Sequence, residues 1–259
     1  MSGALDVIAV ITAMARRTWT VTWRRPVVLT FSLGQPLVWM LFFGFLFHRF
    51  PLADLPAGYS YVDFLAPGVS AMTVLFGASQ AGIGWIRDLH TGFLPRLLNT
   101  PASAGAILGG KILADVLRLL LQSAAVLALA LLLGARMRFA PAALATGLLC
   151  LALFAAAFSC LSCAVALRAR AQESMATFVH LVNMPLLFTS TALVPHREMP
   201  GWLAAAAGVN PFTLAVESWR GALLLGQAPS PLAIGVLGLL AAALFLLALG
   251  QMRAAASLY

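Results

Sequence analysis

FLAPGVSAMTVLFGASQAGIGWI (Phe64–Ile86) is a run of 23 residues without a charge. RDLHTGFLPRLLNTPAS (Arg87–Ser103) follows at once and is the longest polar interruption in the first two-thirds of the chain. An uncharged run of this length can cross the hydrocarbon core of a bilayer as a helix. Its many Gly, Ala and Ser residues would let neighbouring helices approach closely. The interruption carries two arginines, an Asp and a His, yet also Phe93, Leu94, Leu97 and Leu98. A solvated linker has no use for that apolar set, whereas a short amphipathic helix that docks on a partner does.

Working outward, similar runs recur: Val27–Phe47, Ile112–Leu133, Ala140–Leu167, Met175–Val194 and Pro231–Gly250. With Phe64–Ile86 they predict six transmembrane helices. The composition agrees, since 62% of the 259 residues are hydrophobic, 9% are charged and mean hydropathy is +0.96. A soluble domain carries about a quarter charged residues, so this chain cannot cover a water-facing surface. The runs do not alternate as barrel strands do. The expected fold is an all-α integral membrane protein, because helices satisfy their own backbone groups in lipid.

Ahead of the first span, a helical wheel puts Asp6, Ala13, Arg16, Arg17, Thr20 and Arg24 in one sector. Val7, Val10, Ile11, Met14, Trp19 and Val21 fall in the other. Residues 1–26 are therefore expected as an amphipathic interfacial helix, and 27–259 as a single six-span domain. The basic residues follow the mildly apolar stretch 5–15, whereas a signal peptide's charges precede its apolar core. Within the first span Pro36 predicts a kink, with Gln35 placed to satisfy a freed backbone group. Between the last two spans, Gly201–Val209 and Pro211–Leu225 are apolar but too short to cross. Asn210 is a natural N-cap and Pro211 a natural first helical residue. Two re-entrant half-helices on one leaflet, about 201–225, fit this pattern.

Six spans place both termini on one side. Arg16, Arg17, Arg24, Arg25, Arg87, Arg96, Lys111, Arg168, Arg170 and Arg253 then share that side, against Arg49, Arg136, Arg138, Arg197 and Arg220 on the other. The two-to-one bias makes the termini and the 87–111 loop cytoplasmic and the half-helices external. The net charge of +8 thus reads as loop bias and not as a nucleic-acid surface, for which no basic stripe with interleaved aromatics exists.

A search for chemistry returns little. Gly105-Ala-Ile-Leu-Gly-Gly110-Lys111-Ile112 has the Gly and Lys positions of a phosphate-binding loop, but Ile112 stands where Ser or Thr must hold magnesium. It is rejected as a nucleotide site, and Gly105-x-x-x-Gly109 is read as a close-packing face. Cys150, Cys160 and Cys163 lie in one span without a cation to activate a thiol, and read as packing residues. Asp115 and Arg118, three apart near the expected start of the third span, read as a structural ion pair at the membrane entry. His180 reads as hydrogen-bonded between helices, and Asn183 and Pro185 also interrupt that span. There are no metal-ligand clusters and no nucleophile–base constellation, so no catalytic, cofactor or metal residue is assigned.

Three stretches in order resemble the permease subunits of type-2 ABC exporters, in the daunorubicin-resistance and nodulation lipo-oligosaccharide branch. They are Phe64-Leu-Ala-Pro-Gly68; Asp88…Gly92-Phe93-Leu94-Pro-Arg96-Leu97-Leu98-Asn-Thr100-Pro101 with Lys111; and Asn210-Pro211-Phe212-Thr…Glu217…Arg220. One departure is Ala102-Ser-Ala104, where relatives often carry a basic residue. The resemblance implies a homodimer-forming permease in a bacterial inner membrane, coupled to two copies of a separate ATPase that bind the ATP and magnesium. Residues of about 88–101 would be the coupling helix, fixed at its ends by Pro95 and Pro101, and the half-helices an outer gate carrying Asn210, Pro211, Phe212, Glu217 and Arg220. The cargo would be hydrophobic or amphipathic: a drug, glycolipid, lipid or polysaccharide. A partner-independent, proton-coupled efflux carrier is the alternative. It needs carboxylates near mid-bilayer, and the central parts of the expected spans lack Asp and Glu.

Overall fold

The computed structural model describes the backbone of residues 2–23, 26–47 and 59–256, with side chains for 7–21, Gly34, 36–47 and 59–255. The side chains of Asp6 and Gln35, residues Arg24 and Arg25, and the loop 48–58 with Arg49 lie outside the described residues.

The chain is an all-α membrane bundle built round one helix. α1 is Ser2–Trp23, α2 Pro26–Leu46, α3 Tyr61–His90, α4 Phe93–Leu98, α5 Ala104–Leu132, α6 Pro141–Ala169 and α7 Gln172–Phe188. A 3₁₀ turn follows at His196–Glu198, then α8 Gly201–Val209, α9 Pro211–Arg220, a π turn Gly221–Leu225 and α10 Pro231–Ala256. α3 packs against α2, α5, α6, α7 and α9, while α1 lies along α5 and α10 along α6. Almost every side chain of α3 from Tyr61 to Ser79 is buried, so its uncharged sequence serves helix packing more than lipid contact.

Local chemistry sets the helix starts. Ser60 caps α3 through a reciprocal pair with Asp63, whose other oxygen accepts from the Arg136 backbone N–H. Ser103 Oγ accepts from Ala106 N at 3.2 Å to start α5, and Pro141 opens α6. Gly68 and Gly82 matter for closeness. A Cβ on Gly68 would lie 2.1 Å from Ala192 O, and one on Gly82 2.7 Å from Ser162 O. Gly82 N instead donates to Ser162 Oγ at 2.8 Å, and Ser79 Oγ donates to the buried Asn183 Oδ1 at 2.7 Å, tying α3 to α6 and α7.

Four helices among the described residues, α3, α5, α6 and α10, are long and apolar enough to cross a membrane; within α2, Pro36–Leu46 is a shorter apolar segment. α2 stays helical on both sides of Pro36.

Several expectations are corrected. α5 begins at Ala104 and not at Ile112, so the rejected phosphate-loop stretch is ordinary helix. From Leu108 onward its N–H groups are committed to helical hydrogen bonds, and that of Ala106 goes to the Ser103 cap, rather than being gathered round an anion. The fifth span, expected over Met175–Val194, is a 17-residue helix ending at Phe188, after which the chain turns through Thr189–Ser190. The close-packing glycine is Gly110, where a Cβ would meet Ile11 O of α1 at 2.6 Å. At Gly109 such a Cβ would meet nothing within 4 Å, and at Gly105 only a leucine methyl at 4.0 Å. His180 is exposed on α7 rather than bonded between helices. Cys150, Cys160 and Cys163 are free and buried in α6.

Candidate functional site

The residues singled out from sequence gather at the two ends of α3 and on one face of α5. At the C-terminal end of α3, Asp88 is chelated by two cations. Arg17 of α1 holds it bidentately at 2.8 and 3.2 Å, and Lys111 of α5 donates to Oδ2 at 2.6 Å. The same Arg17 guanidinium lies over the Phe93 ring at 3.6 Å, and the Lys111 ammonium lies 4.0 Å from the centroid of the Trp85 ring. One carboxylate thus fastens four helices, α1, α3, α4 and α5. Lys111 is only 5% exposed at its side chain, so its charge is compensated within the protein.

The expected coupling helix over 88–101 is not one element. α3 continues to His90, and Gly92 takes a left-handed turn (φ 71°) into α4, which spans only Phe93–Leu98. Glycine is suited to that conformation. Pro95 does not bound the helix but sits in its first turn, where no intrahelical N–H bond is lost. Pro101 does lie beyond its end.

The apolar set also faces the other way. Leu94 is fully buried, and Phe93, Leu97 and Leu98 pack against a core formed with Trp85, Ile107 and Met252. Arg96, Asn99, Thr100 and Pro101 are left exposed. Thr100 Oγ1 donates to Leu97 O at 2.6 Å and closes the turn. α4 is therefore seated on its own bundle by its leucines and presents a small polar surface.

Asp115 and Arg118 do pair, at 3.3 Å. With α5 starting at Ala104 they lie about three to four turns into the helix. Arg118 also reaches Gln122 Oε1 at 3.4 Å and Gly77 O of α3 at 3.5 Å. Lys111, Asp115, Arg118 and Gln122 stand at i, i+4, i+7 and i+11, so they form one polar face of α5 along α3. Asp115 Oδ2 is buried without a partner.

At the opposite end, Asn210 caps α9 by accepting from Phe212 N at 2.8 Å, while its amide donates to Leu186 O at 2.8 Å and Thr189 Oγ1 at 3.0 Å. Phe212 is fully buried against Phe154, and Pro211 occupies the first helical position. Arg220 is 5% exposed and is the hub. Its Nε donates to Phe64 O at 3.2 Å, its Nη2 to Thr191 O at 2.9 Å and Ala192 O at 3.2 Å, and its Nη1 to Glu217 Oε1 at 3.0 Å. The guanidinium stacks over Phe64 at 3.8 Å. Trp219 Nε1 donates to Ser70 Oγ at 3.0 Å and Tyr61 OH to Leu193 O at 2.8 Å. Glu217 is half-exposed and lines a cavity of about 350 Å³ beside Arg220.

Sequence reasoning missed Arg17 as a partner of Asp88, as well as the roles of Tyr61, Phe64 and Ser70 at the far end. Arg17 was visible on the polar sector of α1, but the residue it meets lies 71 positions away. Periodicity does not reach that far.

The family model described as "ABC-2 type transporter" matches residues 9–224. The chain is 32% identical over 217 residues to "Putative transport permease ycf38" of Pyropia yezoensis, covering 83% of this chain and 74% of that one. It is 31% identical over 195 residues to "Daunorubicin resistance ABC transporter permease protein DrrB1" of Streptomyces coeruleorubidus, covering 75% and 68%. The chain belongs to the ABC-2 type transporter family. It is a multi-pass membrane permease of an ABC exporter, a transport component whose ATPase activity lies in a separate subunit.

Proposed function

We propose that this chain is the membrane half of an exporter for a hydrophobic or amphipathic molecule, with α1 and α4 in the cytoplasm and α8 and α9 outside a bacterial inner membrane. The observation that carries this reading is the seating of α4. A short helix can pass a partner's movement to the spans only if it is held rigidly to them. Here the Arg17–Asp88–Lys111 cluster and the buried Leu94 hold it to α1, α3 and α5. Arg96, Asn99 and Thr100 are the surface it offers to the ATPase. ATP and magnesium belong to that partner, and no cofactor is assigned to this chain.

The basic bias of the loops on the α1 side supports the orientation. The exposed face of one helix, α7, supports a second permease copy, whereas that of α10 does not. α10 exposes Leu232, Leu239 and Leu246, as a lipid-facing helix should. α7 exposes Glu173, Thr177 and His180, which are costly against lipid and suit a water-filled path between two copies. The drug-resistance relative makes an amphipathic cargo the preferred class.

Arg96→Glu tests the docking surface, since it reverses an exposed charge without touching the seat. The permease should insert and fold while the ATPase fails to co-purify; co-purification at the wild-type level would remove α4 from the interface. A cysteine placed at Gly201 should react with an impermeant thiol reagent from outside the cell, and labelling only from the cytoplasm would invert the orientation.

The proton-coupled alternative gains one observation, the buried Asp115 in the interior of α5. Its partner Arg118 compensates the charge, which suits an ion pair better than a proton carrier. Transport in sealed vesicles driven by ATP without a pH gradient separates the two readings.

A further inference from the structure

Where the C-terminal ends of α6 and α10 meet, an open cleft of about 440 Å³ is lined by Leu167, Arg168, Arg170, Gln251, Ala254 and Ala255. The surface it presents is more polar than apolar. Arg168 and Arg170 are exposed, and among the described residues neither guanidinium has an ion-pair partner. Glu173, the acidic residue nearest them in sequence, is exposed on α7 and pairs with neither. The two helix ends bring about half a negative charge each, so two guanidiniums leave the cleft positive.

Arg170 is the one residue other than glycine with a positive φ (55°) among the described residues. It ends α6 in the left-handed conformation, where glycine is usual and a side chain is strained. Its N–H donates to Ala166 O at 2.9 Å, and its carbonyl accepts from His90 Nε2 of α3 at 2.9 Å. The turn is thus held in place with an arginine displayed at the cleft.

The face of α10 that leads into the cleft says what approaches it. Val236, Leu240, Ala243, Leu247, Gln251 and Ala254 recur at helical spacing and share one side. Val236, Ala243 and Leu247 are exposed, so this strip is uncovered in the chain. From Leu240 to Gln251 it measures about 16 Å at 1.5 Å per residue, roughly the depth of one leaflet. An apolar strip one leaflet deep that ends in two arginines matches an amphiphile with an anionic head. The acidic face of a soluble protein would complement the arginines but leave the strip bare, and a metal cation would be repelled.

We propose that this cleft binds the headgroup of an anionic phospholipid, with an acyl chain lying along 240–247 of α10. Arg168 and Arg170 hold the phosphodiester, whose oxygens suit the guanidinium fork, and Gln251 adds an amide donor. Basic recesses between spans take such headgroups. The site needs only that α6 and α10 lie in a membrane. It does not rest on ATPase docking or on the orientation proposed above, so its failure would leave both untouched.

The full-length permease in mild detergent is titrated with dioleoyl phosphatidylglycerol or dioleoyl phosphatidylcholine, and bound lipid is counted by native mass spectrometry. Phosphatidylglycerol should be retained roughly tenfold more tightly. Arg168→Gln and Arg170→Gly should each weaken its binding roughly fivefold, the worth of one arginine against an anionic lipid. Glycine relieves the left-handed turn, so Arg170→Gly should be as stable as wild type or more so while losing lipid. Arg253→Gln removes the same charge from a residue that does not line the cleft, and should bind as wild type. Leu247→Asn should weaken both lipids and keep the preference between them. Equal retention of the two lipids, wild-type binding by Arg170→Gly, or a loss in Arg253→Gln equal to that in Arg168→Gln would each overturn the proposal. Arginine variants that keep their lipid but no longer co-purify with the ATPase would assign the cleft to that protein instead.

Discussion

Asp88 shows how one side chain can decide the stability of a membrane bundle. Lys111 is nearly fully buried and Arg17 about one-third exposed, so removing the carboxylate strands one cation indoors and one at the edge. Leaving a buried charge unpaired costs about 3–5 kcal/mol, whereas an exposed ion pair is worth about 1 kcal/mol or less. Asp88→Asn should therefore destabilise the purified permease by about 3–5 kcal/mol in thermal or denaturant unfolding. Arg17→Gln should cost about 1–2 kcal/mol, including the lost stacking on Phe93. Lys111→Met placed on top of Asp88→Asn should recover part of the loss, because the stranded charge is then gone. An Asp88→Asn variant as stable as wild type would mean that the cluster does not hold α1 and α4.

Helix packing turns on which glycine faces a neighbour, and here the sequence was readable only up to a rotation. The run Gly105-x-x-x-Gly109-Gly110 announces a close approach, but consecutive residues point about 100° apart on a helix. Only the position of α1 shows that Gly110, not Gly109, is covered. Gly110→Ala would drive a Cβ to 2.6 Å from Ile11 O and 2.9 Å from Ile11 Cα, both backbone atoms that cannot step aside. It should lift α1 from α5 at a cost of about 1–3 kcal/mol. Gly109→Ala meets nothing within 4 Å and should be neutral or stabilising, by up to about 1 kcal/mol of helix propensity. Unfolding of the two variants side by side checks the assignment, and equal effects would contradict it. The same rotational blindness explains α4. Its amphipathic pattern was plain in Phe93, Leu94, Leu97 and Leu98, but a pattern cannot say whether the apolar side meets a partner or the helix's own bundle.

At the scale of the whole molecule, hydropathy located the long spans and the break at Asn210-Pro211, because both signals are local. It failed at the end of α7, where the apolar run continues to Val194 but the helix stops at Phe188. A distant residue holds the chain just beyond that end. The carbonyls of Thr191 and Ala192 accept from Arg220, and a carbonyl turned to a guanidinium in α9 is not held in a helix of its own. Gly68 leaves room for this segment, since any side chain there would collide with Ala192 O. Arg220, Gly68 and the broken end of α7 are thus one device joining α3, α7 and α9.

That dependence yields an asymmetric prediction for a pair that sequence alone treated as equals. Arg220→Lys keeps the charge, but lysine lacks the planar fork that spans Phe64 O, Thr191 O and Glu217 at once. It should lower the thermal midpoint sharply and loosen residues 189–194, visible as faster amide hydrogen exchange there. Glu217→Gln keeps an acceptor for Nη1 and leaves the carbonyls of Phe64, Thr191 and Ala192 on the guanidinium, so the loss should be smaller, about 1–3 kcal/mol, with exchange at 189–194 unchanged. If Glu217→Gln proves as damaging as Arg220→Lys, the ion pair and not the carbonyl clasp holds this end of the bundle together.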